Sequence, residues 1–269
     1  MQVSVVVSTY NQPEWLEKVL WGYNMQSFKD FELIVADDGS GSASREMLKR
    51  ITPKLSYPLK HVWHEDVGFR KCLILNKAIL AASADYLIFT DGDCIPRKDF
   101  VEQHMKFRKK GHFLSGGYHK LSMETSRAIQ LSDIESQACF NVRWLKERGM
   151  KCSFRNNKLT TSKLLASILN AVTTTKPTWN GHNASGWMED VMRVNGYDER
   201  MEYGGQDREF GERLVNCGIT GLQIRYSAIC LHLDHARGYI NQKAWDRNRE
   251  IRKETVSLKH TWTDFGIKK

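Results

Sequence analysis

The sequence predicts an α/β protein whose sheet is flanked by helices, and two features carry that expectation. Short apolar runs rich in branched residues alternate with segments whose apolar residues recur at helical spacing. Alternation on this scale implies right-handed βαβ crossovers and a parallel sheet. The polar clusters Ser8-Thr9, Asp37-Asp38 and Asp91-Gly92-Asp93 each close an apolar run, at the strand ends where such sheets bind ligands.

Residues 3–8 are a near-continuous valine run, as expected of a strand covered on both faces. Pro13 opens a helix with Trp15, Leu16, Val19, Leu20 and Tyr23 at helical spacing. Residues 31–36 read as the second strand, and Asp37-Asp38-Gly39-Ser40 as a turn with a helix-capping signature. A helix over 45–51 leads to a third strand at Leu59–Trp63. Leu73, Leu75, Ala78 and Ile79 mark a helix over 72–82, and residues 86–90 a fourth strand. A helix over 100–109 and a strand over 113–118 complete the regular half.

The second half is less regular. Residues 125–148 are rich in helix formers, and 150–176 carries Lys151, Arg155, Lys158, Lys163 and Lys176 with no acidic residue. Its apolar piece, 164–172, reads either as part of a solvated loop or as an amphipathic segment able to touch an anionic membrane surface. No repeat and no Pro/Gly-rich linker divides the chain, so a single compact unit is expected.

Hydrophobic content of 41% and charged content of 26% are ordinary for a soluble protein, but a formal charge of +9 favours an anionic partner. A nucleic-acid binder would interleave basic residues with aromatics or carry a recognised motif. Neither is present, so no nucleic-acid partner is expected. Six scattered cysteines without a C-x-x-C pair argue against a zinc site or a disulfide framework, and for a reducing compartment. The first residues already read as a strand without a basic n-region, and no stretch has the roughly 18 apolar residues of a spanning helix. A cytoplasmic protein is expected, with the sequon Asn183-Ala184-Ser185 accidental.

Asp91 and Asp93 place two carboxylates close together past a buried strand, where they repel unless a cation answers them. A divalent ion carrying phosphate oxygens would do so, and an acidic turn is the plainer alternative. In Gly204-Gly205-Gln206-Asp207 the glycines allow close backbone approach, and Asp207 opens a helix whose positive end favours its anion. Such a carboxylate could serve as a general base or merely cap the helix. His232 and His235 could complete a metal shell with Asp93, or be structural. An enzyme making sugar nucleotides would open with a Gly-rich phosphate loop, which Ser8-Thr9-Tyr10-Asn11-Gln12-Pro13 lacks.

In order and separation, Val5-Val6-Val7-Ser8-Thr9-Tyr10-Asn11, Asp37-Asp38-Gly39-Ser40, Asp91-Gly92-Asp93 and Gly204-Gly205-Gln206-Asp207 resemble the inverting glycosyltransferases of family 2. The segment from Trp179 to Arg213 further resembles the galactosyltransferase-type region shared by bacterial chondroitin-type polymerases and β-1,4-galactosyltransferases. The likeness covers residues 2–118 and 178–235 and implies a GT-A fold, Rossmann-like, with a mixed sheet.

It implies these roles. Ser8, Thr9 and Asp38, with Asp37 beside it, cradle the uracil and ribose of a UDP-sugar. Arg70 and Lys71 meet the nucleotide or its phosphates. In Asp91-Gly92-Asp93, Asp91 faces the ribose and metal and Asp93 ligates Mn2+ or Mg2+; His235, or else His232, is the remaining ligand. Asp207 is the catalytic base, activating a hydroxyl of a glycan or lipid-linked acceptor that attacks the anomeric carbon with inversion. Where the family has Glu-Asp, this chain has Gln206-Asp207. The implied organisation is a nucleotide-sugar-binding half (1–118), a helical, basic insertion for acceptor or membrane contact (119–177), a catalytic half (178–240) and a helical tail (241–269). The charge of +9, the lack of a spanning helix and the acid-free basic stretch 151–176 suggest a peripheral enzyme at the inner face of the cell membrane, where it would serve bacterial surface polysaccharide or lipopolysaccharide synthesis.

Overall fold

The computed structural model describes residues 1–236 and 241–268; the last residues of the expected catalytic half (237–240) and the end of the tail (269) lie outside them. The first half follows the expected order: β1 (Val3–Thr9), α1 (Pro13–Asn24), β2 (Phe31–Asp37), α2 (Ser42–Ile51), β3 (Leu59–Trp63), α3 (Lys71–Ala81) and β4 (Tyr86–Asp91). β1 lies between β2 and β4, and both pairings are parallel. All seven residues of β1 and of β2 are buried. Val3, Val5 and Val7 face the apolar cluster that contains Leu16, Val19 and Leu20 of α1. Val6 faces the other, with Ile74, Leu75 and Ala78 of α3. Helices on both sides explain why the strand reads as an unbroken apolar run.

The second half contributes β5 (Cys94–Pro96), α4 (Phe100–Phe107), β6 (His112–Ser115), β7 (Gly117–Lys120), α5 (Met123–Ala128), α6 (Leu131–Glu135), α7 (Val142–Lys146) and α8 (Lys163–Val172). It continues with β8 (Ala184–Trp187), α9 (Met188–Arg193), α10 (Gln206–Asn216), β9 (Thr220–Gln223), β10 (Ile229–His232) and α11 (Gln242–Ser257). The main sheet runs β3-β2-β1-β4-β8-β6-β9, and a smaller one runs β5-β10-β7.

The sheet is mixed, as the family resemblance implied, because β8 enters antiparallel to both β4 and β6, while the parallel pairing read from the alternation holds for β1 to β4. The strand expected over 113–118 is two strands in different sheets, divided at Gly116-Gly117. A side chain on Gly116 would collide with Asn183, and one on Gly117 with the Arg225 carbonyl, so only glycine lets the chain leave one sheet for the other here. Residues 125–148, rich in helix formers, fold into short helices. The break near 118 thus falls inside β7, and both halves share the main sheet.

Asn183 is fully buried, its amide donating to the carbonyls of Gly117 (2.7 Å) and Ala228 (3.0 Å). The sequon therefore belongs to the core. The six cysteines are unpaired, and among the described residues no helix is long and apolar enough to cross a membrane.

Candidate active site

The ends of β1 and β4 and the turn after β2 open on a cavity of about 430 Å³. Ser8, Thr9, Asp38, Lys71, Asp91, Gly92 and Asp93 line it, joined by Asp207, His232 and His235 from the second half. Asp37 and Arg70 are the expected residues absent from its wall. The Asp37 carboxylate is buried behind the turn, accepting from Ser40 N (2.8 Å) and His61 Nε2 (2.9 Å). Burial opposes its charge, but these partners win and hold its carboxyl below its ordinary range. Arg70 acts through its backbone N–H, which donates to Asp38 Oδ2 (2.9 Å) while His64 Nε2 meets Oδ1 (2.8 Å). Asp37 and Arg70 thus shape the loops that present Asp38.

Asp91 and Asp93 have separate partners. Ser8 Oγ and Lys71 Nζ both lie 2.6 Å from Asp91 Oδ1. Burial works against the Asp91 charge, but Lys71 and the Ser8 hydroxyl hold its carboxyl well below the usual range. Burial likewise opposes the Lys71 ammonium, and Asp91, Asp207 and Asp93 outweigh it. Lys71 and Asp91 thus form a close ion pair at the cavity wall.

Asp93 instead faces imidazoles. His235 Nε2 lies 3.0 Å from Asp93 Oδ2, and His232 Nε2 lies 3.8 Å from it. The opposite nitrogens, Nδ1 of His232 and of His235, each sit 2.9 Å from a backbone carbonyl, of Leu233 and Ala236 respectively. A carbonyl only accepts, so Nδ1 carries the hydrogen in both rings. Each Nε2 is then the nitrogen turned toward the Asp93 carboxylate, which gathers two imidazoles and one carboxylate at a single point. Cys94 Sγ also meets Asp93, at Oδ1 (3.3 Å), but burial raises its thiol far above its ordinary range, so it stays protonated and donates. His182, half-buried nearby, is pushed down to about 4 by burial and is neutral.

Asp207 stands in the first turn of α10, and two glycines at φ +111° and +97° turn the chain into it. Gln206 folds back, its Oε1 accepting from Gly204 N (3.0 Å). Trp179 is locked in the core between Phe89, Phe113 and Phe210 and donates to Tyr197 Oη (2.9 Å). That anchor brings the Gly181 backbone against the Asp207 carboxylate, so closely that an added Cβ would lie 2.8 Å from each oxygen. Asp207 Oδ1 is buried without a hydrogen-bond partner. Burial is the main cause of its carboxyl rising to about 6; Lys71 pulls it down and Asp91 pushes it up.

A second cavity of about 510 Å³ adjoins the first, and Asp207, with Tyr203 and Gln206, lines both. Trp245, Arg249 and Arg252 of α11 supply its far side. Asn248 fastens α11 to the turn, donating to the carbonyls of Glu202 and Gly204 at 3.0 Å each. None of the lining comes from 119–177. Sequence reasoning missed this wall, because Trp245 sits on a helix whose pattern is otherwise charged and gives no motif.

The family model described as Glycosyl transferase family 2 matches residues 4–168. The chain belongs to this family. Its relatives include chondroitin synthase from Escherichia coli, 25% identical over 224 residues, which cover 80% of this chain and 32% of that protein. Validoxylamine A glucosyltransferase from Streptomyces hygroscopicus subsp. jinggangensis is 32% identical over 102 residues, covering 37% of this chain and 24% of its own. The chain thus spans about a third of the one curated relative and a quarter of the other. Among solved structures, a mannosyltransferase from Pyrobaculum calidifontis in complex with GDP-Man and Mn2+ superposes with a TM-score of 0.61 at 18% identity, covering 96% of this chain and 63% of that one. S. aureus TarS in complex with UDP-GlcNAc gives 0.63 at 15% identity, covering 95% and 67%. The family 2 chain therefore has the GT-A fold, in one compact unit.

Proposed function

We propose that the chain is the catalytic unit of a metal-dependent, inverting glycosyltransferase, moving a hexosyl or N-acetylhexosaminyl group from a UDP-sugar to a hydroxyl of a glycan or lipid-linked acceptor. One observation carries this reading: Asp207, with a buried and unpartnered carboxylate oxygen, forms part of the wall of two adjoining cavities. A general base for group transfer must reach the donor's anomeric carbon and the acceptor's hydroxyl together, and a shared wall offers that.

In the first cavity Ser8, Thr9 and Asp38 receive the nucleoside, and Lys71 carries fixed positive charge toward the diphosphate. Asp93, His235 and His232 would hold Mn2+ or Mg2+, which supplies counter-charge to the departing diphosphate when bound. The mixed imidazole and carboxylate set suits Mn2+ better than Mg2+, which prefers oxygen throughout. The acceptor occupies the second cavity, against Trp245 and Tyr203. Asp207 takes the hydroxyl proton as that oxygen attacks from the face opposite the leaving group, so an α-linked donor yields a β-glycoside. Cytoplasmic work on a bacterial surface polysaccharide or lipopolysaccharide fits the lipid-linked acceptor and the basic surface.

A screen of UDP-sugars for metal-dependent UDP release, with and without glycan and lipid-linked acceptors, tests the reading. Release that rises on adding an acceptor supports it; no release from any UDP-sugar in Mn2+ contradicts it.

A further inference from the structure

The segment expected as a loop or an amphipathic contact contains a helix, α8, with two apolar faces. One is used: Ala166 and Leu169 pack on Tyr226, and Asn170 ties the helix down by donating to Ser227 Oγ (2.8 Å) and accepting from Tyr226 N (3.0 Å). The other face is bare. Leu164 is 73% exposed, Ile168 49% and Val172 66%, with Leu165 beside them. At about 100° per residue these four fall within an arc of about 100°, a continuous stripe. Earlier in the same segment Phe154 is 68% exposed.

The charge along this segment of the chain has one sign. No Asp or Glu occurs between Glu147 and Glu189. Lys151, Arg155, Lys163 and Lys176 are exposed, and none is in an ion pair among the described residues. Lys158 differs: its Nζ donates to the Tyr118 carbonyl (3.1 Å) and lies over the Tyr118 ring, so its charge is spent inward.

We propose that α8 docks the protein on an anionic phospholipid bilayer, its leucine, isoleucine and valine stripe entering the headgroup boundary and the four free basic residues meeting lipid phosphates. A protein partner could cover an apolar stripe, but an apolar helix face within a wholly acid-free stretch matches the two layers of a membrane surface, greasy below and negative above. The inference stands apart from the transfer chemistry, since neither cavity uses α8.

Co-sedimentation of the full chain with phosphatidylglycerol-containing and pure phosphatidylcholine vesicles, at low and high salt, tests it. Binding is expected on the anionic vesicles, weakly on the neutral ones, with release by salt. The triple variant Leu164→Ser/Ile168→Ser/Val172→Ser is expected to lower vesicle partitioning by at least about tenfold. Lys151→Ser/Arg155→Ser/Lys163→Ser/Lys176→Ser is expected to abolish the preference for anionic lipid, at about fivefold per residue. The substituted side chains are exposed, so melting curves and UDP binding are expected to match the wild type. A wild type that ignores anionic vesicles at low salt overturns the proposal, as do both variants binding undiminished. Dimerisation through α8 without vesicle binding also overturns it, making the stripe an interface between copies.

Discussion

His235 is clamped at both nitrogens, with Nδ1 2.9 Å from the Ala236 carbonyl and Nε2 3.0 Å from Asp93 Oδ2. A ring fixed in this tautomer keeps its lone pair on one point, as a metal ligand must. Asp93→Ala is expected to abolish sugar transfer, and His235→Ala to weaken Mn2+-assisted UDP binding by more than about tenfold. Calorimetry of UDP with and without Mn2+ checks both. UDP affinity without metal is expected to change little, because Lys71 and Ser8 are anchored to Asp91.

The pH profile reports on Asp207. Burial has raised its carboxyl from 3.8 to about 6, and only the deprotonated form can take a proton. kcat/KM is therefore expected to fall roughly tenfold per pH unit below about 6 and to level off above it. A profile flat down to the ordinary carboxylate range would remove Asp207 from the role.

The same shift has a cost in stability. A carboxyl raised in the folded state contributes stability below its unfolded pKa, and that contribution is lost as pH rises through about 6. Asp207→Asn removes the burdened charge with a near-isosteric amide. At about pH 8 it is expected to stabilise the fold by at most about 3 kcal/mol, less whatever water in the cavities screens. Near pH 4 the gain is expected to vanish. Thermal melts of both proteins at the two pH values measure it.

Trp245 is the largest side chain lining the second cavity. Trp245→Ala is expected to raise the acceptor KM roughly tenfold, near 1.4 kcal/mol of lost stacking, with UDP affinity unchanged. Equal losses toward donor and acceptor would mean the helix merely props up the turn at Gly204.

α10 is held by a buried pair: Arg213 Nε and Nη2 meet the two Glu209 oxygens at 2.7 and 2.8 Å, and Arg213 Nη1 also donates to the Val194 carbonyl. Thr255 of α11 donates to the same Glu209 (3.1 Å). Arg213→Met strands Glu209 and is expected to cost about 3–5 kcal/mol in urea unfolding. Adding Glu209→Gln is expected to restore much of it, since the cost lies in the unpaired charge.

Much of this site stood in the sequence because strand ends are marked by composition. The valines of β1 and the run before Asp91 gave those strands away, and the polar residues that follow must lie at the rim. β8, Ala-Ser-Gly-Trp, has no branched residue, so its antiparallel entry left no pattern to read. The break at Gly116-Gly117 arises from long-range crowding by Asn183 and Arg225, which local periodicity does not encode. Asp37 looked like a ligand because it adjoins Asp38; alternation along the chain turned its side chain toward His61 instead. Lys71 was legible beside the site, but its pairing with Asp91 was visible only in three dimensions.

The most direct test is acceptor-stimulated UDP release by the wild type and Asp207→Asn, side by side in Mn2+ with a chelator control. Wild-type release is expected to stop on chelation. The variant is expected to bind UDP and metal normally, yet turn over about two to four orders of magnitude more slowly. Near wild-type turnover by Asp207→Asn would contradict the assignment of the shared-wall carboxylate as the base.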